Sequence, residues 1–155
     1  MTSKPDAILM HPIGYVHNSV REKKDSFWGD ATSVIRLNEE YHGGLLGLEG
    51  FSHATVLVYL DKARYQQDKH LQRHPRDRED MPLTGIFAQR TKDRPNQIGM
   101  TAVEILSVDN ASLTVRGLDA IDGTPVLDIK PYFPAFDRRD AQTPEWTDRL
   151  MENYF

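Results

Sequence analysis

The side chains best suited to chemistry stand at the ends of apolar segments, and Arg90 is the first of them. It ends the segment Gly85 to Arg90, whose apolar residues predict a strand. A guanidinium presents a planar fork of donors that suits a carboxylate or a phosphate. Arg90 is therefore predicted to bind an anionic group, with a surface salt bridge as the alternative.

A carboxylate and an ammonium come next, in the segment Val126 to Lys130. Alternation along a strand sends Leu127 and Ile129 to one face, and Asp128 and Lys130 to the other. Asp128 is a candidate base or cofactor contact, and Lys130 is a candidate for orienting a substrate or holding charge. A structural ion pair on a half-exposed strand is the alternative.

A rigid turn follows Arg90. Pro95 fixes its own φ and disfavours helix at Arg94, while Asn96 is able to brace the turn. Arg94 is predicted to face a cofactor, a partner subunit or an RNA phosphate. Met100 either contacts a ligand or fills a gap in the core.

Composition excludes several kinds of site and partner. The chain has no cysteine, which rules out disulfides, zinc–thiolate sites and thiol nucleophiles. The net charge of −4 argues against non-specific nucleic-acid binding, although a basic stretch from Lys62 to Arg78 includes Arg73 and Arg76, candidate RNA contacts. No metal is predicted, because His70 and His74 lack a third ligand. No apolar run approaches the roughly 20 residues of a membrane helix.

The elements that must position these residues are mostly strands. One domain is predicted over residues 1–155, with its core at about 10–140. Its fold is mainly β: a small, buckled, partly closed barrel-like sheet with a short C-terminal helix through Met151. A Rossmann fold is excluded, because the connections are too short for crossover helices. About seven strands are predicted, at Ala7 to Val16, Thr32 to Leu37, Ala54 to Leu60 (buried on both faces), Gly85 to Arg90, Thr101 to Val108, Leu113 to Leu118 and Val126 to Lys130.

Two further features belong to this prediction. Asp109 to Ser112 is a turn signal that joins two strands into a hairpin. Residues 61–82 are polar and charged, and are predicted to be mostly an exposed excursion.

Several motifs together resemble the TsaA-like family, whose best-known member is the tRNA methyltransferase TrmO. The likeness runs from about Ile13 to Tyr132 and is carried by Pro12 to Val16, Gly47 to His53, Gly85 to Thr101 and Gly117 to Tyr132. It implies a buckled β-barrel-like fold, a homodimer and S-adenosylmethionine as cofactor. It also implies methylation of N6-threonylcarbamoyladenosine beside the tRNA anticodon. A cytoplasmic location is expected from the composition, because the chain has no cysteine and its N-terminus has too short an apolar stretch for a secretory signal.

The resemblance also assigns roles to residues of this chain. The implied cofactor contacts are Phe27, Trp28, Gly29, Asp61, Lys62, Arg90, Met100, Val126, Leu127, Asp128 and Ile129. The candidate catalytic residues are Asp128, Lys130 and Asn96, and the candidate substrate or RNA contacts are Arg94, Tyr132, Arg73 and Arg76.

The chain departs from that family at the points that bear on the substrate. Gln97 stands where proline is common, and the chain has no room for the C-terminal domain of longer members. Two alternatives therefore stand beside tRNA methylation. One is methylation of a small molecule or another RNA site, and the other is a sensor or interaction module that binds the cofactor without turnover.

Overall fold

Six antiparallel strands close into a barrel in the computed structural model, which describes residues 3–155. The eight strands are β1 (Gly14–His17), β2 (Thr32–Leu37), β3 (His53–Tyr59), β4 (Gln72–Arg73), β5 (Thr84–Gly85), β6 (Ile98–Val108), β7 (Ser112–Arg116) and β8 (Pro125–Pro131). The barrel order is β1-β2-β7-β6-β3-β8, and β4 pairs with β5 in a separate small sheet. The predicted mainly β, barrel-like fold is confirmed, and the barrel is closed rather than partly closed.

The helices are short. They are α1 (Gln67–His70), α2 (Pro134–Asp137) and α3 (Glu145–Leu150), and single 3-10 turns occur at Glu39–Tyr41, Leu48–Gly50, Pro75–Asp77 and Ile86–Ala88. The predicted C-terminal helix is present as α3. Across residues 3–155, no helix has the length and apolar character needed to cross a membrane.

The core fills the inside of the barrel with branched aliphatic side chains, one from every second strand position. On β3, Ala54, Val56 and Val58 are buried, whereas Leu57 and Tyr59 point outward. The prediction that this strand is buried on both faces was wrong, because a closed antiparallel barrel buries only its inner face. Burying each such valine contributes about 1.5–3 kcal/mol.

Two local features close the barrel. Asp109 accepts hydrogen bonds from the main-chain nitrogens of Ala111 (2.8 Å) and Ser112 (2.7 Å), which forms the predicted turn between β6 and β7. At Gly14 the strands β1 and β2 approach so closely that a Cβ would overlap the carbonyl oxygen of Arg36. A glycine is therefore required where the first strand joins the barrel.

Two predicted segments differ from the structure. The first strand begins at Gly14 rather than at Ala7, and Gly85 to Arg90 forms a strand only at Gly85 before the 3-10 turn. Ile86 and Gln89 are buried while Phe87 is 78% exposed. That three-residue spacing fits a 3-10 turn and not the two-residue period of a strand.

The segment 61–82 is also more ordered than expected. It holds α1, β4 and a 3-10 turn, and it buries Ala63, His70, Pro75 and Met81. Most of the other residues of this segment are exposed, as predicted, but the segment has regular structure and buried side chains of its own.

Candidate functional site

Although the barrel is closed, the first half of β6 extends beyond its pairing with β7 and leaves an open strand edge. This strand pairs with β3 from Ile98 to Glu104, but its pairing with β7 starts only at Glu104. Residues 98–103 therefore have a strand partner on one side only within the described sheet. Polar side chains from four remote segments meet at this edge, and we call them the Asp119 cluster: Arg76, Arg90, Thr101, Asp119 and Tyr154.

Asp119 is the centre of this cluster. It follows β7, and its Oδ1 accepts a hydrogen bond from the buried hydroxyl of Thr101. Its Oδ2 accepts a hydrogen bond from the phenol of Tyr154. Both carboxylate oxygens thus have a donor, which is how a half-buried charge is stabilised away from water.

Two guanidinium groups lie near the Tyr154 phenol that bonds to the Asp119 carboxylate. Arg90 donates from Nη2 to the main-chain oxygen of Met100 at 2.7 Å. Arg76 lies over the ring of Tyr154, 5.7 Å from its centroid, and donates to the main-chain oxygen of Asp25 at 3.0 Å. The cluster therefore presents positive and negative groups side by side at an open strand edge.

The pKa of the Tyr154 phenol is shifted by its neighbours in the cluster. Burial of the phenol, then the charge and hydrogen bond of Asp119, raise the pKa of Tyr154 well above its ordinary value. Arg76 and Arg90 act in the opposite direction and are outweighed. Tyr154 is consequently a neutral donor to Asp119 at physiological pH.

The loop Phe27 to Gly29 lies beside the cluster. Trp28 is 3% exposed, and Nζ of Lys24 lies 4.4 Å from the centroid of its ring. Phe27 has a positive φ of 64° and an exposed ring. The loop thus offers one aromatic ring to a ligand, that of Phe27, while Trp28 anchors the loop in the protein.

A second group of predicted residues lies farther along the outer face of the barrel. Met100 on β6 is paired with Leu57 on β3, which is paired with Asp128 on β8. At a strand spacing of about 4.8 Å, Asp128 is roughly 10 Å from Met100. Asp128 and Lys130 form the ion pair that their spacing predicted, at 3.1 Å.

The remaining residues of β8 divide between the core and a bulge. Val126 is fully buried and lies opposite Val58, and Ile129 lies opposite Val56, so the structure does not bring these two side chains to the Asp119 cluster. The register shifts between these positions, which places Leu127 at an irregularity of the strand.

The turn after Arg90 is held by its own side chains. Arg94 donates from Nη1 to the main-chain oxygens of Gln89 (2.9 Å) and Thr91 (3.3 Å), and Asn96 is exposed. Gln97 has a φ of 52° and donates to the main-chain oxygens of Leu60 (2.8 Å) and Ala63 (3.1 Å). Arg94 thus has a visible structural role at this turn.

The other predicted contacts are spread over the surface. Asp61 and Lys62 are exposed in the turn after β3, where the main-chain oxygen of Lys62 accepts a hydrogen bond from Lys23 at 2.7 Å. The ring of Tyr132 lies 6.2 Å from that of His53, between centroids. Arg73 is 14% exposed and pairs with Asp77 at 2.9 Å and Asp93 at 3.7 Å.

The two histidines of the basic stretch have local partners. Nδ1 of His70 accepts a hydrogen bond from the main-chain nitrogen of Gln66 at 2.9 Å, and Nδ1 of His74 lies 2.7 Å from the carbonyl oxygen of Met81. In the part of the chain that the structure describes, no three His, Asp or Glu side chains form a group that could hold a metal ion.

The structure therefore brings together Arg90, Met100, Arg76 and the Phe27 to Gly29 loop, and it adds Thr101, Asp119 and Tyr154, which sequence reasoning missed. The one signal for Asp119 was its place in the Gly117 to Asp119 motif. Nothing in the local pattern pointed to Tyr154, because its partner lies 35 positions away.

Comparison with known proteins gives this geometry a context. The family model of the tRNA-methyltransferase O N-terminal domain matches residues 22–138. An S-adenosyl-L-methionine-binding protein of Archaeoglobus fulgidus is 40% identical over 134 residues, covering 84% of this chain and 93% of that protein. The tRNA (adenine(37)-N6)-methyltransferase of Homo sapiens is 32% identical over 155 residues, covering 94% of this chain and 35% of that protein.

A solved structure agrees. The crystal structure of TrmO from Pseudomonas aeruginosa superposes with a TM-score of 0.69 at 30% identity, covering 88% of this chain and 61% of that chain. This chain thus spans less than two thirds of the solved protein. The chain belongs to the family of the tRNA-methyltransferase O N-terminal domain, which confirms the family that its motifs predicted.

Proposed function

We propose that this chain is an S-adenosylmethionine-dependent methyltransferase that holds its cofactor at the Asp119 cluster. The proposed acceptor is N6 of N6-threonylcarbamoyladenosine in tRNA. The observation that carries the proposal is that Arg90 and Asp119 bond to the neighbouring residues Met100 and Thr101 at the open edge of β6. The names of the Archaeoglobus fulgidus and Homo sapiens relatives support the choice of cofactor and acceptor.

The donor set of the cluster fits this cofactor. The amino-acid end of S-adenosylmethionine carries a carboxylate and an ammonium, and its ribose carries hydroxyls. Arg90 uses Nη2 for Met100 and has further N–H donors for a carboxylate. Asp119 is an acceptor for an ammonium or a hydroxyl, and the exposed ring of Phe27 is a surface for a base.

When bound, S-adenosylmethionine supplies a methyl group already activated by its sulfonium. The protein then has to orient the reactants, exclude water and accept a proton from the acceptor nitrogen. Arg90 and Asp119 orient the cofactor, and Asp128 is the proposed proton acceptor. Lys130, at 3.1 Å, fixes the Asp128 carboxylate on the outer face of the barrel.

The same outer face supports the proposal of a homodimer. Tyr59, Ile98 and Met100 are large apolar side chains on β3 and β6, and Met100 is 52% exposed. A second copy would cover them and bring its own groups near Asp128. Sedimentation should give the mass of a dimer, and a monomer at all concentrations would contradict this part of the proposal.

Calorimetry tests the cofactor site. S-adenosylmethionine titrated into the chain should release heat, and Arg90→Ala should weaken binding by tenfold or more, because it removes a charge-assisted pair. Arg36→Ala, at an exposed position of β2 across the barrel, is the matched control. Equal affinities of these two variants would contradict the assignment of Arg90.

Methyl transfer is tested with a radiolabelled donor. Label should enter tRNA that carries N6-threonylcarbamoyladenosine, and should not enter the same tRNA lacking that modification. Asp128→Asn should slow transfer more than it weakens cofactor binding, which separates a proton acceptor from a cofactor ligand. Cofactor binding without transfer to any acceptor would favour a sensor instead.

A second candidate is methylation of a small molecule or another RNA site. Two of the predicted RNA contacts already have partners within this chain, which favours this candidate. Arg73 pairs with two carboxylates, and Arg76 lies against Tyr154. Label that enters a metabolite extract but not tRNA would support this candidate. The salt dependence of tRNA binding is a further test, since its slope counts the phosphates that the protein neutralises.

A further inference from the structure

The C-terminal segment, residues 145–155, lies on the Asp119 cluster, and we call it the strap. It begins with α3 and is outside the family match, which ends at residue 138. A connection at 138–144, exposed and without regular structure, joins it to the rest of the chain. The strap thus follows the matched region and reaches back to the proposed site.

The strap is bonded through its main chain to the loop beside the cluster. The main-chain nitrogen of Phe27 donates to the oxygen of Asn153, and that of Trp28 to the oxygen of Tyr154, both at 2.7 Å. Gly29 makes this approach possible, because a Cβ there would lie 2.6 Å from the carbonyl carbon of Phe155.

The strap also occupies polar groups of the cluster. The Tyr154 phenol donates to Oδ2 of Asp119, while Thr101 holds Oδ1. Each carboxylate oxygen therefore already faces a donor from this chain. A carboxylate oxygen accepts up to two hydrogen bonds, but a ligand ammonium or hydroxyl reaches the side of Oδ2 that the phenol occupies only when Tyr154 moves away.

The helix of the strap is attached by few groups, and the end of the strap is held by main-chain bonds at Asn153 and Tyr154 and by the Tyr154 phenol. No residue of α3 is fully buried, and Arg149 links this helix to the rest of the chain by pairing with Asp80 at 3.2 Å on the surface. A segment with little buried apolar area and exposed polar contacts opens locally at low cost. Release of the strap therefore does not require the barrel to unfold.

We propose that the strap is an internal competitor of the cofactor, with Tyr154 standing where a donor group of the cofactor would meet Asp119. This inference rests on the proposed function, because the competing ligand is S-adenosylmethionine. When a protein binds only in its open form, the apparent dissociation constant is the intrinsic one divided by the open fraction. Weaker docking of the strap must then tighten apparent binding.

The test compares full-length variants by titration with S-adenosylmethionine. Loss of a hydrogen bond to a charged acceptor shifts an equilibrium about tenfold, so Tyr154→Phe should raise the apparent affinity about tenfold, and Tyr154→Ala at least as much. Tyr65→Phe is the matched control, because it also loses a phenol hydrogen bond, to Gln67 at 2.6 Å, but lies outside the cluster. Thermal unfolding of each variant checks that the barrel is intact.

Hydrogen exchange gives a second readout on the parent chain. A competitor is released by the ligand, so saturating S-adenosylmethionine should speed exchange in residues 145–155. If the strap instead completes the site, the ligand will slow that exchange and Tyr154→Phe will bind more weakly, which overturns the proposal. If neither the parent chain nor any variant binds S-adenosylmethionine, the proposed function fails together with the role of the strap. If the parent binds S-adenosylmethionine and Tyr154→Phe binds it with the same affinity, only the role of the strap is overturned.

Discussion

Replacing Asp119 by asparagine tests the centre of the site most directly. The change keeps the shape of the side chain but removes the charge that the donors of Thr101 and Tyr154 face. A hydrogen bond to a charged group contributes about 1.5–3 kcal/mol, and one between neutral groups about 0.5–1.5 kcal/mol. Two such bonds place the loss of unfolding free energy at about 2 kcal/mol. For a chain of this length, the midpoint of thermal unfolding should fall by about 4–8 °C.

Urea unfolding of a double-mutant cycle measures the interaction free energy between Asp119 and Tyr154. Asp119→Asn, Tyr154→Phe and the double variant should show a coupling free energy of about 1 kcal/mol, because residues in direct contact are not additive. Asp140→Asn, at an exposed position in the connection before the strap, is the control and should leave stability unchanged. Additive single effects, or an Asp119→Asn variant as stable as the parent, would refute the contact between Asp119 and Tyr154.

Three further predictions follow from close contacts. Gly29→Ala should displace the strap, because its Cβ would lie 2.6 Å from a strap backbone carbon, and should speed amide exchange in residues 145–155 without changing exchange in β3. The Tyr154 phenol should ionise at a pH above the usual tyrosine pKa of about 10. Because the fold favours the neutral phenol, the stability that Tyr154 contributes is present below about pH 10 and is lost as the pH rises through the raised pKa. Absorbance of phenolate should show this late step, and Tyr154→Phe should lack it. Gly14→Ala should cost about 3 kcal/mol or more in urea unfolding, because its Cβ would overlap the carbonyl oxygen of Arg36, whereas Gly50→Ala, with nothing within 4 Å, should cost little.

Local patterns predicted several elements closely. The bounds of β2 match the expectation of Thr32 to Leu37, and the turn at Asp109 to Ser112 joins the expected strands. Asp128 and Lys130 form the ion pair that was predicted as the alternative to a catalytic role. These features depend on neighbours in the chain, so side-chain type and period were sufficient to place them.

The segment after Gly85 shows why other predictions were wrong. Its apolar residues favoured a strand, but the side-chain amide of Gln89 donates to the main-chain oxygens of Arg73 (3.0 Å) and Thr84 (3.1 Å). These bonds fold the segment into a 3-10 turn against β4 and β5. A buried polar group with partners up to 16 positions away leaves no trace in local periodicity.

The sequence by itself determined the family, the mainly β class and the strands whose turns are local, because motif residues and alternating side chains carry that information along a short stretch. Only the tertiary structure decided that Asp119 meets Thr101 and Tyr154, and that Arg90 and Arg76 lie near the Tyr154 phenol. Thr101 lies 18 positions from Asp119 in the sequence, and Tyr154 lies 35 positions from it. Closure of the barrel and docking of the strap bring these residues together in space. The free energy of both events is the sum of many weak contacts between remote segments, and no single stretch of sequence contains them.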